Sequence, residues 1–314
     1  MTTKRCAFLT MQNTEGWSID TDLAIPPMQA LGWSIDTIAW RSPDVDWGRY
    51  DAVYIGTPWD YPEDVSHFIS VLEQIDRSGA VLVNDVALVR WGIPKTYLRD
   101  LEARGAEIVP SLWFDRLSPG QLARLFETLA SERLVVKPVV STNATDTFLL
   151  ERGRARDAEP VLLEKFSHRA VVVQPFIESI RSDGEYSLFY FGGVCSHATQ
   201  KIPKSGDFRV QEEHGASVAR IEPDASLVGC ADRILSLVEP PPVYARCDLV
   251  RGADGRYLLM ELELIEPSMY LRMHEEAPRR FAIAFDRYVT GKKGSSGVAG
   301  VSGEPAGRQA SFAG

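Results

Sequence analysis

A chain of 314 residues with 45% hydrophobic residues can bury one large domain or two to three smaller lobes. Its 34 basic and 43 acidic residues leave a formal charge of −9, which repels a nucleic-acid backbone on average and argues against nucleic acid as a partner. No apolar run reaches the roughly 18 to 20 residues that a membrane helix needs, because the best, 134–140, is broken by Lys137 and Pro138. The N-terminal Met-Thr-Thr-Lys-Arg enters the apolar run 6–10 at once, which is too short for a signal peptide and reads as a first strand. The cysteines Cys6, Cys195, Cys230 and Cys247 are scattered, with no Cys-x-x-Cys or Cys/His spacing. They are expected to be buried free thiols in a reducing, cytoplasmic compartment.

In chain order, residues 1–93 alternate apolar runs (7–10, 33–40, 52–56, 81–83) with amphipathic stretches (23–31, 65–75), a βαβαβ pattern that predicts a small parallel sheet with covering helices. Glycines at 32 and 79 mark helix ends. A helix over 95–104, a short strand over 107–109 and a helix over 119–129 follow. Strands are then predicted over 134–138 and 147–150, with the small polar stretch 139–146 between them. A charged helix over 157–166 leads to the buried strand 171–177. Runs 185–191 and 194–201 flank Gly192-Gly193 as a hairpin, a helix over 225–237 stops at three prolines, and 243–250 and 257–264 form a second hairpin. A last helix is predicted over 276–289. The Gly-, Ser- and Ala-rich 291–314 is expected to be a disordered tail.

The strongest chemical signal is a carboxylate cluster, Asp248, Glu261, Glu263 and Glu266. Residues two apart on a strand share a face, so Glu261 and Glu263 point together, and a hairpin partner can bring Asp248 beside them. Like charges so placed become favourable around hard divalent cations; the competing reading is a solvated face of an exposed hairpin. Lys137 sits in an apolar strand and must either meet an anion or snorkel to an edge. The loop after it, with Ser141, Thr142, Asn143 and Thr145, is small enough for backbone N–H groups to approach phosphate, or is an ordinary turn. Lys95, Arg209 and His214 carry little information singly. A loop arginine can clamp a carboxylate or phosphate. Gln174, Phe176 and Ile177 end a buried strand in a turn that could meet a flat heterocycle, and Glu185 could accept ribose hydroxyls; core strand and solvated carboxylate are the alternatives.

In combination, Lys95, Lys137 before a small-residue loop, the strand-to-turn segment at 174–177, the Arg209 loop, then Asp248 and Glu261-x-Glu263 resemble the ATP-grasp superfamily. Trp59-Asp60-Tyr61, Gln174-Pro175-Phe176, Tyr244-Ala245-Arg246 and Glu266-Pro267-Ser268 are most similar to its O-ureido-serine cyclo-ligases, then to its glutathione-synthetase and RimK-type ligases. The resemblance implies an α/β and α+β protein: a doubly wound N-terminal substrate lobe (1–93), then a central lobe (94–173) and a C-terminal lobe (174–290) that sandwich ATP. It implies that Lys95, Lys137 and Lys201 bind ATP phosphates under the 141–145 lid. Gln174, Phe176 and Ile177 would contact adenine and Glu185 the ribose. Asp248, Glu261 and Glu263 would hold two magnesium ions, and Arg209 would face an acyl phosphate. The lid departs from the glycine-rich family pattern, and Glu263 stands where an amide is more common.

The expected activity is therefore carboxylate–nitrogen ligation through an acyl phosphate on small carboxylate and amine substrates, with cyclisation as one form. A small-molecule kinase or a non-catalytic nucleotide-binding protein are the alternatives, and a homo-oligomer is left open. No Gly-x-Gly-x-x-Gly follows the first strand, which argues against a dinucleotide-binding oxidoreductase. Substrate selection is expected from Thr57, Trp59, Asp60 and Tyr61 after the third strand, where doubly wound sheets bind ligands, with His214 also near substrate. The acidic run Glu15, Asp20, Asp22 could receive an amine.

Overall fold

A computed structural model describes residues 3–298, with side chains described to 294. The chain opens on β1 (Lys4–Thr10), α1 (Ile25–Ala30), β2 (Trp33–Ala39), β3 (Ala52–Thr57), α2 (Val65–Arg77) and β4 (Val81–Val83). The strands form a parallel sheet in the order β2-β1-β3-β4. Helix α2 starts where the Asp64 carboxylate accepts the His67 N–H, and it buries Phe68, Val71, Leu72 and Ile75, a stripe of three- and four-residue steps.

Next come α3 (Val86–Gly92) and α4 (Tyr97–Ala103), then β5 (Leu112–Phe114), α5 (Gln121–Thr128), β6 (Arg133–Pro138), β7 (Phe148–Glu151), α6 (Ala155–Lys165) and β8 (Val171–Pro175). A second sheet, antiparallel in the order β5-β8-β6-β7, packs one face against α5 and α6 through Leu134, Val136, Val173, Phe126 and Phe166. Since side chains alternate along β6, Val135 and Lys137 take the other face.

The third sheet follows α7 (Ser179–Ser182). It comprises β9 (Glu185–Phe191), β10 (Val194–Ile202), β11 (Ser217–Ile221), β12 (Tyr244–Arg251) and β13 (Tyr257–Glu263), with α8 (Ala225–Ser236) between β11 and β12. Its antiparallel order is β11-β10-β9-β12-β13. One face packs on α4 and α8 through Leu98, Leu101, Leu227, Ile234, Leu188 and Leu249. The other carries Phe189, Phe191 and Tyr244 at one end and polar side chains, among them Glu185, Ser187, Arg246 and Asp248, at the other.

Two expectations change. The predicted strand at 107–109 makes only a bridge, Ile108 to Leu259, beside β13, because Pro110 removes the next backbone donor. The predicted last helix is α9 (Ala277–Val298), which runs past 289 into the region expected to be disordered. Phe281, Phe285 and Val289 anchor it in the core, and an anchored helix propagates at little cost per residue. Residues 299–314 lie outside the described residues. Helix α9 packs between the third sheet and the first: Phe281 meets Phe191 and Tyr54, Phe285 meets Tyr54, and Asp286 accepts from Trp33 Nε1 at 2.9 Å and pairs with Lys4. The last described helix thus joins the first sheet to the third. Among the described residues no helix is long and apolar enough to cross a membrane.

Candidate active site

The polar face of the third sheet faces Lys137 of the second sheet across a cleft, and Trp17, Trp59 and Tyr61 of the N-terminal lobe close one side of it. Register builds the floor. Arg246 pairs with Glu263 and Asp248 with Glu261, so the four side chains form a square on one face, with a bulge just after Asp248. On the neighbouring strands Asp248 lies opposite Ser187, and Lys201 opposite Glu185.

Each carboxylate on this floor meets a cation. Arg246 donates from Nη2 to Asp248 Oδ2 at 2.9 Å and also reaches Glu263. Lys201 Nζ lies 2.6 Å from Glu185 Oε1 and 3.6 Å from Asp248 Oδ1. Lys95 Nζ lies 2.9 Å from Glu261 Oε1 and donates to the Ser141 carbonyl at 2.9 Å, while its backbone N–H donates to Val139 O at 2.8 Å. Lys95 therefore ties together the entry to α4, the loop after β6 and the floor.

The charges are poised by these neighbours. Burial alone would raise Asp248, but Arg246 and Lys201 outweigh it and hold the carboxyl below its usual range. Glu261 is likewise lowered, with Lys95 and Lys137 overcoming its burial. Glu263 goes the other way: burial, reinforced by Asp248 and Glu261, pushes it up to about 7 despite Arg246. Glu266 is raised well above the ordinary range by burial and then by Glu263. Lys137 has no anionic partner within ion-pairing distance among the described residues, and burial lowers its pKa.

Among the described residues, no three His, Cys, Asp or Glu side chains converge as a ready metal cage. The donor set is nonetheless hard oxygen on one face. It fits a magnesium ion held by one or two carboxylates with its remaining ligands from phosphate and water, the usual way that ion is bound.

The other expected residues divide. Lys95, Lys137, Ser141, Thr142, Asn143, Gln174, Phe176, Ile177, Glu185, Lys201, Asp248, Glu261, Glu263, Trp59 and Tyr61 all line the cleft. Arg209 also lines the cleft, with its guanidinium already engaged: Nη2 to Asp207 Oδ2 is 2.7 Å and Nε to Oδ1 is 3.1 Å. Phe176 N–H is also committed, donating to Arg133 O at 2.9 Å. Thr57, Asp60, Thr145 and His214 do not line the cleft. Thr57 Oγ1 bonds Thr10 Oγ1 at 2.7 Å because the parallel pairing sets the two side by side. Asp60 accepts from Trp40 Nε1 at 2.6 Å and pairs with Arg41. His214 Nε2 meets Asn143 O at 3.4 Å and Thr145 is exposed. Asp20 is taken by Arg272 at 3.0 Å, which removes it as an open amine receptor, and Glu15 and Asp22 are exposed.

Among the cleft residues that escaped the sequence reading are Arg246, Tyr270 and Trp17. Arg246 was visible only as a member of a motif; its position two before Asp248, on the same face, was the available signal. Tyr270 lines the cleft at φ +45°, a conformation that strains a bulky residue, and nothing in the sequence marks it. The loop after β6 also places Asn143 and Ala144 at φ +48° and +53°, so it makes without glycine the left-handed turn that glycine would make cheaply.

Comparison with known proteins bears on this cleft. Residues 6–84 match the family described as D-cycloserine synthetase DcsG, N-terminal domain. The cycloserine biosynthesis protein DcsG of Streptomyces lavendulae is 32% identical over 291 residues, covering 86% of this chain and 95% of that protein. The crystal structure of D-cycloserine synthetase DcsG superposes with a TM-score of 0.79 at 30% identity, over 91% of this chain and 99% of that one. D-alanine–D-alanine ligase from Bacillus anthracis shares the fold at 15% identity, with a TM-score of 0.68 over 95% of this chain and 100% of that one.

Proposed function

Because the chain belongs to the ATP-grasp ligases and is closely related to D-cycloserine synthetase, we propose that it joins a carboxylate to a nitrogen of the same small amino-acid-like molecule and so closes a ring. It is an ATP- and magnesium-dependent ligase that forms a carbon–nitrogen bond. The observation that carries the reading of the site is the floor square: Arg246, Asp248, Glu261 and Glu263 on one face, with Lys95 and Lys201 bonded into it and Lys137 facing it.

In this reading Lys95, Lys137 and Lys201 hold the ATP phosphates beneath the loop of Ser141, Thr142, Asn143 and Thr145. Gln174, Phe176 and Ile177 wall the adenine. Glu185 serves the ribose side chiefly by positioning Lys201. Asp248, Glu261 and Glu263 would hold two magnesium ions, which supply neutralising charge to the phosphates. A substrate carboxylate oxygen attacks the γ-phosphorus, the bond to ADP breaks, and an acyl phosphate results. The nitrogen then attacks the acyl carbon, phosphate leaves, and the nitrogen loses its proton. Such chemistry needs positioning and charge stabilisation more than a side-chain nucleophile. Arg246, fixed between two carboxylates, is placed to meet negative charge developing on the acyl group, and Arg209, held by Asp207, would face the acyl phosphate.

The test is ADP release and product mass with ATP, Mg²⁺ and O-ureido-serine, compared with single amino acids and pairs of them. One ADP per cyclised product from O-ureido-serine alone is expected. Product formed only from two separate amino acids would overturn ring closure, and ADP accompanied by a stable phosphorylated substrate would indicate a kinase.

A further inference from the structure

Trp59 makes contacts that substrate binding alone does not explain. Its carbonyl accepts a hydrogen bond from Thr142 Oγ1 at 3.0 Å. Its indole Nε1–H donates to the Glu266 carbonyl at 2.8 Å, just beyond the end of β13. Its ring lies 4.9 Å from that of Trp17. One residue of the N-terminal lobe therefore touches both the loop after β6 and the end of the cleft floor.

That loop needs such a tether. Asn143 and Ala144 hold left-handed backbone without glycine, which costs about 1 kcal/mol or more per residue. Its other side-chain ties are Lys95 to the Ser141 carbonyl and His214 to the Asn143 carbonyl, from the segment before α4 and the third lobe respectively. Trp59 supplies the tie to the first lobe, on the wall it forms with Trp17 and Tyr61.

We propose that Trp59 is a positioning residue that latches the 141–145 loop to the N-terminal lobe, so that closure over the ATP phosphates depends on the lobe that receives the acceptor. This rests on the ligase reading above. Loosening the latch leaves the floor intact but lets the loop open while acyl phosphate is present, and water then competes with the nitrogen.

Thr142→Val removes the hydroxyl with little change of shape, and Trp59→Phe removes the indole N–H. Hydrogen-exchange mass spectrometry of a peptide spanning 139–147 reads the latch without any substrate. Thr142→Val is expected to exchange roughly three- to ten-fold faster there, the size of one net hydrogen bond, and Trp59→Phe, which keeps the Trp59 carbonyl and loses only the indole bond to Glu266, to speed exchange by less. With O-ureido-serine, KM for ATP should rise several-fold and more ADP should appear per product, at unchanged melting temperature for Thr142→Val. Wild-type exchange in Thr142→Val would overturn the latch. If wild-type protein makes no product from any acceptor, the ligase reading fails, while the exchange comparison still decides the latch.

Discussion

Arg246 sits where geometry matters more than charge. Its guanidinium bridges Asp248 and Glu263, which a lysine's point charge cannot do. Arg246→Lys is expected to lower kcat about 100-fold or more while KM for ATP changes less, as steady-state kinetics would record. Lys137 makes a pH prediction. Burial lowers its pKa from 10.5, so it loses its proton at lower pH than an ordinary lysine. The phosphate contact is then complete below that lowered value and fades as pH rises through it. KM for ATP should climb in the alkaline range, and Lys137→Arg, which stays charged, should flatten the climb. These two residues also show what was legible. A lone lysine in an apolar strand declares itself, because burial without a partner is costly. Arg246 becomes meaningful only once strand register sets it against Glu263, and register is a property of pairing that one strand's sequence does not state. Asp60 misled for the converse reason: it stands beside two cleft residues in sequence but is claimed by Trp40 and Arg41.

Among elements, β10 carries a buried histidine whose protonation should shape stability. His197 stacks on Phe189 at 4.3 Å, meets the Met269 carbonyl through Nε2 at 3.1 Å and Ser196 Oγ through Nδ1 at 3.1 Å, which suits the neutral ring. Burial lowers its pKa from 6.5 to about 4. Between those values the unfolded chain binds the proton and the folded one does not, so stability present above pH 6.5 is lost as pH falls towards 4. Denaturant titration should show roughly 2 kcal/mol lost between pH 6.5 and 5, and less in His197→Gln. Asn84, just after β4, joins the first sheet to the third. Its amide donates to Tyr244 O at 3.0 Å and Leu264 O at 2.8 Å and accepts from Val243 N at 2.7 Å. Asn84→Ala would orphan all three buried groups and should cost about 3 kcal/mol in thermal or chemical unfolding. Long periodic elements such as α2 and the Gly192-Gly193 hairpin were readable because local pattern and turn chemistry agree. Strand β5 has three residues and β11 is an exposed edge, so neither carries an alternation to read.

At the scale of the molecule, the three sheets follow the alternation of the sequence, but their assembly does not. That α9 returns to pack beneath β1 and β3 depends on which apolar face remains open once the third sheet has formed, and no local signal states it. The cleft is likewise a product of assembly. Lys95, Lys137 and Glu261 lie far apart in the chain; strand pattern marked Lys137 and the Glu261-x-Glu263 pair, while Lys95 became legible only through its place in the order and spacing that the resemblance supplied. The most direct measurement is ADP release by wild type, Lys137→Ala and Glu261→Ala, each with ATP, Mg²⁺ and O-ureido-serine and each checked for folding by thermal melting. Losses of about 100-fold or more in kcat/KM in both variants are expected. Wild-type rates in either folded variant would contradict the placement of ATP-dependent ligation in this cleft.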